Sequence, residues 1–446
     1  MGKITVVKTL IISKFIHLFM VIQVPRNTLK ELNSELHKFV WNHKPDKINR
    51  GVFCMPKNLG GLKMVNIFNF EKSMKLKWIF EIIRNPEQSW YHLLTESVGC
   101  LKRLTTMGGD WTNVILDKVN PFWKNVFVAW KEFCNKQQPK SNIDILNSSI
   151  WFDCHISKEP LFFPNWARCG ISIVGDLIDN QGKVHSRKYL MRHYCININF
   201  LDYFRIKSLI STFTSKFSKG NNFELQRPFI PLQLKFLVGT KKGGRELYNF
   251  MTIIEQKQQR RCETLWSLKL NPPLNSKIWP LIYKICTKAT QDNTTIWFQY
   301  KLLYNILPTR NYLYNLKLVD SDICGFCGLR IETIIHLFTE CPTVNLLWDN
   351  MRQWVLNKTH IHIEISKIEK LFGYLIQDQH FWPINFFLLI TRKYIFRCSQ
   401  KKIEPVMDML KKELKNAYDD QLYVSRVNFS ESDFDKKWNR WKDIFD

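Results

Sequence analysis

Apolar positions along this chain recur mainly at the three- and four-residue spacing of amphipathic helices. Between residues 29 and 43 the spacing places these apolar side chains on one helical face: Leu29, Leu32, Leu36, Phe39 and Val40. The pair Gly60–Gly61 predicts a turn, because glycine adopts positive φ at little cost. The pattern then predicts a long helix within residues 65–84, ended by Asn85–Pro86. We therefore expect one helical unit over residues 1–85.

The later part of the chain has the same periodicity. Within residues 294–310, Ile296, Tyr300, Leu303 and Leu307 share one face, and Pro308 is expected to stop the helix. A charged helix is predicted over residues 405–422. Shorter aromatic-rich segments lie between, and the polar, turn-rich stretch 216–232 is the best internal boundary. The pattern as a whole predicts a mainly α protein.

The first residues are apolar, but charged side chains interrupt them. Lys8, Lys14 and His17 divide the stretch 4–24. No uncharged run therefore approaches the roughly 20 residues of a membrane span. No small-residue cleavage site of the secretory kind follows the stretch. We predict an amphipathic helix here and expect no membrane partner.

The charge balance indicates a polyanionic partner. Lys and Arg total 65 against 39 Asp and Glu, a formal net charge of +26. Nucleic acid is the simplest such partner, since each neutralised phosphate releases counterions. A basic protein without such a partner is the alternative. The hydrophobic content of 45% and the aromatic content of 14% argue against a disordered chain.

The use of cysteine indicates a reducing compartment. Twelve cysteines in 446 residues are too sparse for a disulfide framework. Most occur singly in apolar runs, which is typical of buried small side chains: Cys54, Cys100, Cys134, Cys169, Cys286 and Cys398. We expect a nuclear or cytoplasmic protein that is not secreted.

One stretch, CGFCGLRIETIIHLFTEC at 324–341, has the spacing of a metal site. Its ligands would be Cys324, Cys327, His336 and Cys341. A tight turn lets the first two thiolates bind one ion, and Pro342 should end the helix at Cys341 and begin the next one. Three thiolates and one imidazole form a closed, structural Zn²⁺ set without a catalytic water. The alternative is a chance grouping of core residues.

Other Cys and His residues show no ligand-like spacing. These are Cys154–His155 and the pair His193 and Cys195. Within the metal stretch, Ile331, Ile334, Ile335 and Phe338 follow helical spacing, so we expect a short helix there with His336 on its other side. After Pro342, the apolar spacing predicts a second helix.

The residues around the metal stretch carry a family resemblance. Leu307-Pro308-Thr309 precede the cysteine pair, Glu332-Thr333 and His336-Leu337-Phe338 lie between the ligands, and Trp348 follows. This order resembles the reverse-transcriptase zinc-binding module near the C terminus of LINE-type (non-LTR) retrotransposon polyproteins. Residues 39–79 are similar to the thumb-like helices that follow the polymerase palm in those polyproteins. The similarity covers nearly the whole chain but is looser between these stretches.

The resemblance implies a part of such a polyprotein without its catalytic domains. A polymerase of the family needs an Asp in one strand and an aromatic-Ala-Asp-Asp hairpin, which this sequence lacks. Asp419-Asp420 follow Tyr418 directly, one residue short of that spacing, within a charged helical pattern. We therefore expect a solvated helix face at these residues and no enzymatic activity.

The resemblance also implies how the chain divides. We predict a thumb-like helical segment at 1–85, an aromatic-rich connector at 86–215, a linker with a short helical segment at 216–263, a zinc-binding module at 264–358, and a C-terminal helical tail at 359–446. The function implied is non-catalytic binding of template RNA or target DNA, mostly through phosphates. The polymerase and endonuclease portions of the parent polyprotein are further candidate partners.

Six basic residues are the candidate nucleic-acid contacts. Lys301, Arg310 and Arg330 lie near the zinc ligands. Lys72, Lys75 and Lys77 surround the apolar stripe of the first long helix, where a solvated face is an equal alternative. The alternative function is a host-adopted or decaying retrotransposon-derived interaction protein with no nucleic-acid role.

Overall fold

The computed structural model describes residues 2–218, 223, 232, 244–254, 261–376 and 381–445. Within these ranges nearly all regular structure is helical, and strand-like pairing is limited to three isolated antiparallel bridges. The mainly α fold is therefore confirmed. Most of the predicted boundary at 216–232 and most of the predicted segment 216–263 lie outside the described residues.

Tertiary contacts divide the chain into two compact units. The first, here the C-terminal unit, comprises Met1–Val7, His37–Met64 and Gln258–Asp446. The second, here the central unit, comprises Lys8–Leu36 and Val65–Lys257. The two units are defined by contacts within the structure, whereas the five predicted segments were defined by sequence and implied function. The five segments therefore stay predictions.

The helix Ile67–Arg84 lies at the centre of the central unit. It begins at Asn66, whose side-chain oxygen accepts hydrogen bonds from the N–H groups of Phe68 and Asn69. Such a cap satisfies donors that have no partner inside the first turn. The helix ends with Asn85 as its C-cap, directly before Pro86. The predicted end at Asn85–Pro86 is therefore confirmed.

Other helices pack around Ile67–Arg84. Its direct neighbours are Ser13–Val21, Pro121–Lys136 and Gly244–Ile254. Trp78 donates its indole N–H to the Met20 carbonyl at 2.8 Å and meets the Phe122 ring edge-on at 5.4 Å. Further α-helices among the described residues of this unit are Ser89–Val98, Arg103–Thr106, Asn142–Leu146, Pro164–Arg168, Arg187–His193 and Phe200–Phe217.

The helix Trp382–Lys401 forms the core of the C-terminal unit and is buried along most of its length. It packs against Trp279–Ala289, Asn293–Leu303 and Met407–Val427. Further α-helices among the described residues of this unit are Gly2–Val6, Arg50–Cys54, Arg261–Lys269, Arg310–Asn315, Pro342–Thr359, Lys367–Phe372 and Glu431–Trp438. Asp419 and Asp420 lie exposed on Met407–Val427, as the charged helical pattern predicted.

The helix Arg26–Trp41 contributes residues to both units and follows its predicted stripe only in part. Leu29 and Leu36 are buried, whereas Phe39 is exposed. The Lys3 ammonium lies over the exposed Phe39 ring, 4.8 Å from the centre of that ring.

Residues Gly2–Val21 form one helix, with a π-helical stretch at Val7–Ile12. The predicted N-terminal helix is confirmed. By length and composition it is sufficient to cross a membrane, and 22% of its apolar window is buried inside the structure. In length and composition, this helix is therefore closer to a membrane-spanning helix than the charged residues in its sequence indicated.

The singly placed cysteines are mostly buried, as expected. Cys54, Cys134, Cys286 and Cys398 are buried. The prediction was wrong for Cys100 and Cys169, which are exposed. Each lies within two residues of the end of a helix and next to a glycine, Gly99 before Cys100 and Gly170 after Cys169.

Candidate metal centre and basic surface

The Cys-x2-Cys pair lies in a tight turn closed by backbone hydrogen bonds. The N–H of Cys324 donates to the Arg330 carbonyl at 2.8 Å, and the N–H of Gly328 donates to the Cys324 carbonyl at 2.9 Å. Gly328 has φ +66°, a left-handed conformation that suits glycine. Ile323 and Ile331 form an antiparallel bridge at the base of the turn. Ile331 was predicted on a helix and is instead exposed in this bridge, because backbone pairing overrides its apolar spacing.

His336 and Cys341 lie on either side of the predicted helix break. Residues His336–Glu340 form a π-helical turn, and Cys341 leaves it with ψ 125°. Pro342 is the first residue of the helix Pro342–Thr359. The apolar stripe of this helix is buried as expected: Val344, Leu347, Trp348, Met351 and Val355. The local structure predicted around Pro342 is therefore confirmed.

The four predicted ligands converge on one point. The ligand atoms of Cys324, Cys327, His336 and Cys341 all lie within 4.8 Å of one another. The two Sγ atoms of Cys324 and Cys341 are 3.9 Å apart, and Cys327 Sγ is 3.4 Å from His336 Nε2. A tetrahedral zinc ion with Zn–S near 2.3 Å and Zn–N near 2.0 Å requires S–S separations of about 3.8 Å and S–N separations of about 3.5 Å. The cluster can hold a metal ion.

Burial and local hydrogen bonds give two of the cysteine thiols in the cluster different pKa values. Cys324 and Cys341 are buried, and Cys327 is half-buried. A hydrogen bond from the Cys324 thiol lowers the pKa of Cys341 to about 7, and the same bond raises the pKa of Cys324. The N–H groups of Val344 and Thr343, at the start of the following helix, also lower the pKa of Cys341. One thiolate is therefore favoured before a metal binds.

The histidine presents one nitrogen to the cluster. Its Nε2 faces Cys327 Sγ, while its Nδ1 is buried and has no hydrogen-bond partner among the described residues. The backbone N–H of His336 donates to the Thr333 hydroxyl at 3.0 Å, and this bond fixes the start of the π-helical turn. Nε2 is therefore the atom that would bind a metal.

Glu332 connects the metal cluster to the surrounding helices. Its carboxylate is fully buried and accepts hydrogen bonds from the backbone N–H of Arg310 at 3.0 Å and from the Ser399 hydroxyl at 3.2 Å. The N–H of Gly325, inside the cysteine turn, lies 3.4 Å from its second oxygen. The sequence spacing gave Glu332 no structural role, because Ser399 is 67 residues away in the chain.

A second grouping in the central unit also brings ligand atoms together. Those of Asp153, Cys154 and His155 lie within 4.8 Å of one another. Cys154 and His155, which have no ligand-like spacing in the sequence, thus lie near the carboxylate of the adjacent Asp153. Burial raises the pKa of Asp153, and burial with the Asp153 and Asp110 charges raises that of Cys154 to about 12.

Lys301 belongs to a small basic and aromatic surface in the C-terminal unit. It is half-buried, and its ammonium lies 5.6 Å from the centre of the Trp297 ring. Burial, followed by repulsion from Lys47, lowers the pKa of Lys301. The exposed Lys47 in turn lies 5.6 Å from the Tyr312 ring. Lys47 was missed in the sequence, because it lies 254 positions before Lys301.

The two predicted arginines beside the metal cluster differ in their surroundings. Arg330 is exposed at the tip of the cysteine turn, where a phosphate can reach its guanidinium. Arg310 is half-buried, and its Nε donates to the Ser321 carbonyl at 3.4 Å. Arg310 therefore also holds the chain that leads into the turn.

Three different environments surround the lysines of Ile67–Arg84. Lys72 is half-buried and pairs with Glu132 at 2.5 Å. Lys77 is half-buried. Lys75 is only 1% exposed and donates to the Ile22 carbonyl at 2.8 Å. The structure therefore does not support Lys75 as a phosphate contact, because its ammonium is enclosed by the protein.

No protein-family model matches the chain. The resemblance to retrotransposon polyproteins therefore stays a prediction. What the structure establishes is a buried Cys/His cluster in a helical protein, with exposed basic side chains beside it.

Proposed function

We propose that this chain is a non-catalytic, nucleic-acid-binding part of a LINE-type retrotransposon reverse transcriptase that contains one structural zinc ion. The observation that carries the proposal is the excess of cations. With 65 Lys and Arg against 39 Asp and Glu, basic side chains outnumber acidic ones by 26. Such an excess favours a polyanion with closely spaced phosphates.

The donor set of the metal cluster supports zinc. Three thiolates and one imidazole suit Zn²⁺, while Mg²⁺ and Ca²⁺ prefer oxygen ligands. The bound ion would join the cysteine turn to the start of Pro342–Thr359, and it leaves no open position for a substrate. Metal binding in such modules contributes on the order of 10 kcal/mol to local folding. A reducing compartment, nuclear or cytoplasmic, keeps these thiols available.

Nucleic-acid contacts in the C-terminal unit would come from Lys47, Lys301 and Arg330. Lys47 and Lys301 lie next to aromatic rings, an arrangement in which phosphates meet cations while bases stack. Phosphate contacts read no sequence, so binding should be salt-dependent and weakly selective. No catalysis is proposed, and primer extension with the isolated chain should give no product above a no-protein control.

Filter binding of single-stranded RNA across a salt series tests the proposal. We expect micromolar or tighter binding at about 50 mM salt and a steep loss as salt rises. The double variant Lys47→Gln/Lys301→Gln should weaken binding and flatten the slope. Its matched control, Lys412→Gln/Lys415→Gln, removes the same charge from exposed positions on Met407–Val427. Absence of wild-type binding at the lowest salt would refute the proposal.

A second candidate function is a protein-interaction module without a nucleic-acid role. The observation that favours it is the exposure of apolar side chains at the cysteine turn and before it, with Leu318 67% and Leu329 77% exposed. The same salt series separates the two functions. Only the second is compatible with a zinc-loaded protein that binds no RNA.

A further inference from the structure

A cleft of about 270 Å³ with a mainly apolar lining lies beside the metal module in the C-terminal unit. The lining residues with polar side chains include Asn305, Asn311, Asn315, Tyr312 and Lys269. Its apolar lining comes from Leu307, Ile334 and Ile335. The cleft thus combines planar amides, one aromatic ring and a cation around an apolar floor.

Local backbone structure creates this cleft. The helix Asn293–Leu303 ends before the predicted stop at Pro308, because Asn305 turns left-handed with φ 54° and the Ile306 N–H donates back to the Lys301 carbonyl at 2.9 Å. Asn311 and Asn315 then lie one turn apart on the helix Arg310–Asn315, so their side chains share a face. The turn that leads to the metal ligand His336 supplies the opposite wall.

The three carboxamides keep unused hydrogen-bonding groups. Asn311 Oδ1 accepts from Asn315 Nδ2 at 3.3 Å, and Asn305 Oδ1 accepts from Lys269 Nζ at 3.3 Å. Within the described part of the chain, this leaves the Nδ2 groups of Asn305 and Asn311 and the Oδ1 of Asn315 for a ligand. Two donors and one acceptor in a small space match the edge of a nucleobase better than a phosphate.

Lysine side chains near the cleft could meet the phosphates of the nucleic-acid backbone attached to such a base. Lys269 is exposed at the cleft, and the exposed Lys47 lies 5.6 Å from the Tyr312 ring. Sequence-specific recognition of RNA typically combines stacking on an aromatic ring with hydrogen bonds to the edge of an unpaired base. The cleft offers both, next to cations that can meet the neighbouring phosphates.

We propose that this cleft binds one unpaired base of a single-stranded nucleic acid, with the asparagine carboxamides at its edge and Tyr312 against its face. This inference rests on the proposed function and adds a preference for single strands over duplex. A base in a duplex is paired and stacked, so it cannot enter a cleft of this size without being extruded.

The test compares two matched double variants by fluorescence anisotropy. Asn311→Ala/Asn315→Ala removes two hydrogen-bonded amides, four residues apart, from the cleft. Gln353→Ala/Asn357→Ala removes an equivalent pair, also four residues apart and hydrogen-bonded at 3.0 Å, from the exposed face of Pro342–Thr359. Labelled oligouridylate, oligoadenylate and an RNA duplex serve as probes. Bound zinc is measured for each variant, and Tyr312→Leu serves as an independent change in the cleft.

The cleft variants should lose about 5- to 150-fold in affinity for at least one single strand, since base-edge contacts contribute about 1–3 kcal/mol. Affinity for the duplex and the salt slope should stay at wild-type values, because no charge is removed. The control variant should match the wild type on every probe. If the cleft variants bind single strands as well as the wild type does, or lose as much affinity for the duplex, the base-binding role of the cleft is overturned. The proposed function would remain intact in both cases. A wild-type protein that binds none of the probes refutes the proposed function itself.

Discussion

Glu332 places a carboxylate where solvent does not reach, and three segments of the C-terminal unit supply its hydrogen bonds. The donors are the backbone of Arg310, the hydroxyl of Ser399 and the backbone of Gly325 in the cysteine turn. A buried charge is tolerated only when such donors replace water. Glu332 therefore fixes the position of the cysteine turn relative to the core helix Trp382–Lys401.

Replacement of Glu332 by Ala should loosen the metal cluster without touching a ligand. We expect a loss of about 2–4 kcal/mol, because buried donors lose a charged acceptor. Chelator competition should show weaker zinc retention, and the thermal midpoint should fall. Glu332→Gln should lose less, since its amide oxygen still accepts. Glu404→Ala, at an exposed position, is the control. Equal zinc retention in Glu332→Ala and Glu404→Ala would contradict this role.

Lys75 contributes to the net charge of the sequence, but its ammonium is not accessible to a ligand. Its ammonium donates to the Ile22 carbonyl and lies 5.0 Å from the Phe122 ring. We expect Lys75→Met to leave RNA affinity and its salt slope unchanged in filter binding, because an enclosed cation releases no counterions from a phosphate. The exposed pair Lys412 and Lys415 gives the background for charge removal. A loss larger than that background would show that Lys75 becomes accessible on binding.

At the scale of elements, the parts of the site that were predictable are those set by near neighbours in sequence. The ligand spacing and Pro342 determine the turn and the helix start locally, so both were predicted. The left-handed Asn305 was missed, since no proline or glycine marks that helix end. The partnership of Glu332 with Ser399 depends on tertiary packing, which helical periodicity does not encode.

Loss of one ligand should release the helix start from the cysteine turn. We expect Cys341→Ser to purify without stoichiometric zinc and to show faster hydrogen exchange over residues 324–341, because closed zinc sites stabilise folding directly. Chelation of the wild type should produce the same exchange pattern. Cys398→Ser, at a cysteine that is equally buried but lies outside the cluster, should retain the ion. Stoichiometric zinc in Cys341→Ser would sink the four-ligand site.

At the scale of the whole molecule, the net charge of +26 affects every encounter with an anionic surface, including a lipid bilayer. Attraction to anionic lipid therefore carries no information about insertion. The helix Gly2–Val21 is the described element whose length and composition raise that question. Its exposed apolar side chains include Leu10 and Leu18, at 61% and 46% exposure.

Vesicle flotation can separate insertion from charge. A lysine at the bilayer centre costs about 2.5–3.5 kcal/mol, and Lys8 and Lys14 both lie within the helix. We therefore expect no flotation with neutral phosphatidylcholine vesicles, and salt-reversible flotation with anionic ones. Leu10→Gln/Leu18→Gln should leave both results unchanged, because the charge is the same. Salt-resistant binding to neutral vesicles that this variant abolishes would contradict the expectation of no membrane partner and assign the apolar face to lipid.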